Sequence, residues 1–110
     1  MKDLIVDYIR RNGNTSFIDL EKLFKRHGIK YEGDYVYSIE QDNHVFWVGW
    51  DYEYFKMLIE LNKDGIIEMK YTDPITYYLD GKVLRLPVSK STRSKKKAHW
   101  IPVTFSINGG

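Results

Sequence analysis

The sequence contains no cysteine, so neither disulfide bonds nor thiolate metal sites are available to it. Long apolar runs are also missing, and none approaches the roughly 18 residues that a membrane-spanning helix requires. The opening residues 1–11 include Asp3, Asp7 and two arginines, which is unlike a signal peptide. We therefore expect a cytoplasmic protein that has no membrane partner.

Signatures of catalysis and of cofactor binding are absent as well. The three histidines, His27, His44 and His99, are scattered and lack the spacing of a zinc-binding His-Glu-x-x-His motif. The sequence has no glycine-rich phosphate loop and no nucleophile elbow. We expect a protein that is not an enzyme and that holds no metal ion and no cofactor.

Acidic residues are missing from the last thirty positions. Residues 81–110 contain seven Lys or Arg and no Asp or Glu, whereas residues 1–80 contain ten Lys or Arg and fifteen Asp or Glu. The formal charge of +2 therefore hides a net −5 in the first part and a net +7 in the second. Such asymmetry is typical of a basic arm that binds a polyanion, although a solvated arm that binds nothing has the same composition.

Apolar residues at helical spacing predict three helices in this chain of 110 residues, which has the length of one domain. Ser16 and Asp19 form a capping box at the start of the second helix. Gly13 and Gly28 follow the first two helices, as expected at helix ends. The predicted ranges are residues 2–11, 17–27 and 51–64.

Runs of β-branched and aromatic residues predict the strands. Residues 35–39 and 45–48 read as one hairpin, and the Asp80-Gly81 pair indicates a second hairpin with a tight turn. Pro102 cannot donate to a ladder, which favours an edge position for the last strand. The predicted strands are residues 35–39, 45–48, 66–71, 76–79, 82–86 and 99–103.

This order of elements predicts an α+β fold of the winged helix-turn-helix type. A β-hairpin is inserted between helices 2 and 3, and a β wing lies at the C-terminal end. Residues 89–97, SKSTRSKKK, contain no apolar residue and cannot join a core. We expect residues 1–110 to form one winged-helix-like domain in which residues 89–97 are a flexible basic segment.

Basic residues near aromatic ones are the candidate binding site for nucleic acid. The predicted phosphate ligands are Lys82, Arg85, Lys90, Arg93, Lys95, Lys96 and Lys97. Seven such contacts on a single strand predict a salt slope of about −5. The rings predicted to stack on bases are Tyr71, Tyr78 and Trp100, and for each of them burial in the core is the alternative. Tyr77 and Tyr78 are adjacent in a predicted strand, so one of them should lie outside the core.

The third helix has the wrong charge for reading a DNA groove. Residues 51–64 contain two lysines against four acidic residues, and their exposed face has no Arg, Asn or Gln before Asn62. The positive field lies in the predicted wing and the segment that follows it. We therefore expect a single strand as the partner rather than a duplex operator.

Four strings of residues resemble a known family: NHVFWVGWDYEYFKMLIEL, DGIIE, YYLDGKVLRLP and HWIPV. They are similar to the small winged-helix single-stranded-DNA-binding proteins of staphylococcal cassette chromosomes and pathogenicity-island mobile elements, which are encoded beside a replicative helicase. The similarity extends over nearly the whole chain. It implies a winged helix, DNA binding without strong sequence preference, and a role in replication or transfer of the element.

Three functional hypotheses remain open at this point. The first is a non-enzymatic single-stranded-DNA-binding protein that acts with a helicase or another replication protein. The second is a duplex-DNA-binding transcriptional regulator, whose third helix would matter most. The third is an adaptor or inhibitor that docks on a replication protein through exposed aromatic residues.

Overall fold

The computed structural model describes residues 1–91 and 93–109 as a mixed α+β structure. Helices and strands follow one another along the chain, with a 3₁₀ turn at Glu40–Asp42. The helices are α1 (Lys2–Asn12), α2 (Phe17–Arg26), α3 (Tyr52–Lys63) and α4 (Ile75–Leu79). The strands are β1 (Glu32–Ile39), β2 (His44–Trp50), β3 (Ile67–Tyr71), β4 (His99–Trp100) and β5 (Val103–Ile107).

The three predicted helices are confirmed, and local side chains explain their ends. Ser16 and Asp19 form the predicted capping box, because each side chain accepts a hydrogen bond of 3.0 Å from the backbone N–H of the other. Asp51 caps α3 by accepting from Glu53 N at 3.0 Å. Gly13 ends α1 with φ of 75°, a conformation that favours glycine.

The hairpin predicted from residues 35–39 and 45–48 is also confirmed. Strands β1 and β2 are antiparallel, with Val36 opposite Val48 and Tyr37 opposite Trp47. Strand β4 pairs in parallel with the other side of β2, which gives the sheet order β1-β2-β4. This hairpin directly precedes α3, and Trp50 at the end of β2 stacks on Phe55 in α3.

Strands β3 and β5 form a separate antiparallel sheet, in which Tyr71 lies opposite Val103. Thr15, between α1 and α2, joins its edge by exchanging two backbone hydrogen bonds of 2.8 Å with Phe105. The single edge strand predicted for residues 99–103 is therefore wrong. Pro102 separates two strands, β4 and β5, that belong to different sheets.

The predicted hairpin around Asp80-Gly81 is wrong as well. Residues Ile75–Leu79 form a helix, α4, that begins after Pro74 and ends at Asp80. Gly81 follows with φ of 76°, so the Asp-Gly pair terminates a helix instead of forming a primed turn. No strand covers residues 82–86, although Val83, Leu84 and Leu86 are half-buried against the core.

Tertiary contacts of one side chain explain why α4 forms. Tyr77 is fully buried, and its hydroxyl donates to Val103 O at 2.6 Å and accepts from Phe17 N at 3.2 Å. A short helix turns this ring into the core while Tyr78 faces solvent. The C-terminal β structure is consequently built by β3 and β5, with residues 72–102 between them.

The core is unusually rich in aromatic rings. Ten of the seventeen aromatic residues are buried. Phe17 stacks on Trp47 at a centroid distance of 5.6 Å, and Trp50 stacks on Phe55 at 4.6 Å. Such pairs add stability beyond the area that they bury. Most of the aromatic content therefore serves packing, which leaves only a few rings for any ligand.

Candidate nucleic-acid interface

Residues 89–97 are here called the basic segment, and Thr92 within it lies outside the described residues. Its residues 93–95 lie against the turn that joins β1 and β2. Lys95 N donates to Asp42 O at 3.0 Å, and Asn43 Nδ2 donates to Lys95 O at 2.6 Å. His44 Nε2 hydrogen-bonds Arg93 O at 2.9 Å, which requires that this ring nitrogen carries the proton. These contacts use the backbone of the segment, so they position it without consuming the charges of Arg93 and Lys95.

Further contacts hold the start of the basic segment and its middle. Ser89 N donates to Trp100 O at 3.0 Å, and Trp100 N donates to Pro87 O at 2.9 Å. The Ser94 hydroxyl donates to the Asp42 carboxylate. The described residues of the segment thus lie on the surface beside β4 and the β1–β2 turn. A surface position is what the lack of apolar residues predicts.

The cations of the basic segment remain on the surface. Lys90, Arg93, Lys96 and Lys97 are exposed, and Lys95 is half-buried. Within residues 1–91 and 93–109, none of these five side chains forms an ion pair with a carboxylate. Arg85 is likewise exposed and has no acidic partner among the same residues. Six of the seven predicted phosphate ligands are therefore open to an external anion.

Lys82 is the exception among the predicted phosphate ligands, and its prediction needs correction. Its Nζ lies 2.6 Å from Glu21 Oε1 and 5.7 Å from the centroid of the Trp47 ring. The Lys82 ammonium therefore has a partner inside the protein. We remove Lys82 from the candidate interface.

Glu21 is the buried charge that requires this lysine. Its side chain is only 5% exposed, and Oε2 accepts hydrogen bonds of 2.9 Å from Trp47 Nε1 and from Trp50 Nε1. A buried carboxylate needs such donors, because desolvation of the charge is costly. The sequence contains a signal for this site, since Glu21 lies between Leu20 and Leu23 on the apolar side of α2.

Trp100 is a second correction. The ring is fully buried against Trp47 and Tyr77, so it offers no face to a base. Its Nε1 finds no acceptor among the described residues. Trp100 is buried instead of exposed for stacking because β4 lies beside β2. This position places the Trp100 side chain between the sheet and α4.

The other two predicted rings are accessible. Tyr71 is 41% exposed at the end of β3, and Tyr78 is 58% exposed on α4. The prediction that one of Tyr77 and Tyr78 lies outside the core is confirmed, although a helix rather than a strand separates the two side chains. The structure brings Tyr71 and Lys90 together at one cleft, whereas Tyr78 lies beside the Lys82 region of the chain.

Several buried phenols remain neutral near neutral pH. Burial raises the pKa of Tyr31 to about 12, and the carboxylates of Glu21 and Glu32 add to the effect. Burial also raises the pKa of Tyr37 to about 12 and moves the pKa of Tyr77 upward in the same direction. Tyr31 and Tyr77 belong to the core, and the half-buried Tyr37 packs against it.

Neither a metal site nor a membrane span is found in the described part of the chain. Among residues 1–91 and 93–109, no three side chains of His, Asp or Glu come together in a way that could hold a metal ion. The helices in the same residues are too short and too polar to cross a bilayer.

The chain matches no family model, no curated protein and no solved structure. What defines its class is therefore the arrangement itself: a mixed α+β structure with an aromatic core and a basic segment held on its surface by backbone hydrogen bonds.

Proposed function

We propose that this protein binds single-stranded DNA without strong sequence preference, that it is not an enzyme, and that it supports replication or transfer of a mobile genetic element. One observation carries the proposal. The basic segment is fixed through its backbone while the five cations on it have no acidic partner among the described residues. Such a surface neutralises phosphates, and contacts with phosphates carry no sequence information.

The topology supports a winged-helix interpretation of the fold. A winged helix places a short strand between its first two helices, beside the two strands of the wing. Here Thr15 lies between α1 and α2 and bridges to Phe105 in β5, which pairs with β3 directly after α3. In this interpretation β1 and β2 are an insertion between helices 2 and 3, and residues 72–102 replace the usual short turn of the wing.

The charge of α3 favours a single strand over a duplex. Glu53 and Glu60 lie on this helix, and Glu60 is paired with Lys2 at 3.2 Å. Asp51, at the N-terminus of α3, accepts a backbone hydrogen bond from the helix. A recognition helix enters a groove lined with phosphates, where carboxylates are repelled. The basic segment instead presents five cations within eight residues on the surface, which suits a flexible backbone.

An adaptor that docks on a replication protein is the second candidate function. The observation in its favour is the exposure of apolar residues on α4, since Leu79 is 81% exposed and Ile75 is 55% exposed. Exposed apolar side chains that lie close together mark interaction surfaces. The two functions share α4, because Tyr78, predicted to stack on a base, lies on the same helix as Ile75 and Leu79.

Fluorescence anisotropy of matched single-stranded and duplex oligonucleotides across a salt series tests the proposal. We expect tighter binding to the single strand and a salt slope of about −4, since six cations rather than seven are free and each contributes about −0.7. Changing Lys95, Lys96 and Lys97 together to Ala should reduce the slope by about two units. A clear preference for duplex DNA would contradict the proposal.

A matched triple variant separates the basic segment from general charge loss. Lys30, Lys56 and Lys63 are all exposed, lie outside the segment, and include both lysines of α3. Changing these three to Ala removes the same charge and should leave the salt slope unchanged. If this variant loses more affinity for DNA than the Lys95, Lys96 and Lys97 variant, the main contacts lie outside the basic segment, which would contradict the proposal.

A further inference from the structure

A cleft of about 330 Å³ opens between the two sheets, beside the basic segment. Its floor is apolar and is formed by Phe46, Met69, Ile101 and Val103. Phe46 comes from β2, while Met69 and Val103 come from the paired strands β3 and β5. The volume lies at the lower end of the range of small-ligand sites, which suits one flat group.

The mouth of the cleft carries the two residues that a nucleotide needs. Tyr71 lines it with a ring that is 41% exposed, and Lys90 lines it with an exposed ammonium at the start of the basic segment. Asp42 also lies at this mouth, and its carboxylate accepts a hydrogen bond from Ser94. An aromatic face and a cation therefore meet at one place over an apolar floor. The Asp42 carboxylate at the same mouth, which would repel a phosphate, is engaged by the Ser94 hydroxyl.

We infer that this cleft holds one unstacked nucleobase of the bound strand. Tyr71 stacks on the base, and Lys90 contacts a phosphate next to it. The basic segment then follows the neighbouring phosphates along the surface, away from the cleft. The inference rests on the proposed function and adds to it that one base is held in a built site, in addition to the electrostatic contacts with the backbone.

The cations at the rim of the cleft favour a nucleobase as its occupant over an apolar protein side chain. A protein segment would gain from the apolar floor alone and would need no cation at the mouth. The exposed cations of the basic segment begin at the rim of this cleft, where they attract an anionic backbone and keep its bases within reach of the floor.

A cycle of two changes tests the inference, one in the DNA and one in the protein. The DNA pair is a single-stranded oligonucleotide and a fully abasic oligonucleotide of the same length, which carry the same phosphates. The protein pair is the natural chain and Tyr71→Ala. We expect Tyr71→Ala to weaken binding of the base-bearing strand by about tenfold, as loss of one stacked base does, and to leave binding of the abasic strand unchanged.

Two further variants make this result specific. Tyr52→Ala is the matched control, because Tyr52 is 42% exposed but does not line the cleft. It should bind both strands as the natural chain does. Met69→Trp fills the floor of the cleft, and it should reproduce the effect of Tyr71→Ala. Circular dichroism and thermal melting verify that each variant is folded. If Met69→Trp does not fold, the Tyr71→Ala result alone tests the inference.

The outcomes separate the inference from the proposed function. If the natural chain binds both strands equally well and Tyr71→Ala changes neither affinity, DNA binding stands and the base site is overturned. If the natural chain binds neither strand at low salt, both the base site and the proposed function are overturned. If Tyr52→Ala loses as much affinity as Tyr71→Ala, the loss is not specific to the cleft and the base site is also overturned.

Discussion

The Glu21 carboxylate and the Lys82 ammonium lie 2.6 Å apart, although 61 positions separate them in the sequence. This contact joins the buried face of α2 to the irregular chain that follows α4. Glu21 is buried and also accepts hydrogen bonds from Trp47 and Trp50, so it connects α2 to β2 as well. The same lysine that charge alone assigns to DNA therefore has a buried carboxylate as its partner inside the protein.

Lys82→Ala should lower the stability of the protein and leave DNA binding nearly intact. Removing the cation leaves the buried carboxylate without its ion-pair partner, and we expect a loss of about 1–2 kcal/mol because the Lys82 side chain is half-exposed. Urea denaturation measures the loss, and anisotropy measures the affinity. Lys90→Ala is the control and should give the opposite pattern, with normal stability and weaker binding.

The tryptophans should differ in their response to replacement by phenylalanine. Trp50→Phe removes a hydrogen bond to the charged Glu21, whereas Trp100→Phe removes an Nε1 that has no acceptor among the described residues. We expect Trp50→Phe to cost about 1.5–3 kcal/mol more than Trp100→Phe in chemical denaturation. Equal losses for the two variants would show that ring volume alone determines the cost.

Stability should fall at alkaline pH because of buried tyrosines. The pKa of Tyr31 and the pKa of Tyr37 are about 12 in the folded protein, against an ordinary value of 10.0. The unfolded chain therefore loses these protons first, so the folded state loses stability as the pH rises from about 10 to 12 and keeps it in full below 10.

Melting temperatures across this pH range, together with tyrosinate absorbance, measure the effect. Tyr37→Phe should flatten the pH dependence, because it removes one of the groups that must ionise. Tyr78→Phe is a suitable control, since the Tyr78 side chain is exposed and its loss should not change the slope. An alkaline slope that is the same in all three proteins would contradict the role assigned to Tyr37.

Tyr78→Ala should weaken binding of single-stranded DNA by about fivefold or more while leaving stability unchanged. The ring is 58% exposed, so its truncation removes little packing, and loss of a stacked base costs at least about 1 kcal/mol. Anisotropy at low salt measures the affinity. Tyr77→Phe provides the contrast, because it removes two buried hydrogen bonds and should lower stability without a direct effect on binding. Unchanged affinity in Tyr78→Ala would assign the exposed face of α4 to a protein partner instead.

Local patterns predicted the elements whose signals lie within a few residues. The capping box of Ser16 and Asp19, the helix ends at Gly13 and Asp64, and the β1–β2 hairpin all depend on neighbouring residues, and all are confirmed. The hairpin predicted at Asp80-Gly81 is wrong because the same dipeptide is compatible with a hairpin turn and with a helix end. Only the burial of Tyr77 against Phe17 and Val103 selects between the two.

Some features of the candidate site were likewise predictable from the sequence, and others were not. The sequence by itself determined that the positive charge is concentrated after residue 80 and that α3 is acidic, because charge is a property of composition. Tertiary structure decided which of those charged and aromatic groups are free. It paired Lys82 with Glu21, buried Trp100 beside β2, and brought Tyr71 and Lys90 to one cleft. Each of these outcomes depends on contacts between residues far apart in the chain, and local spacing carries no information about such contacts.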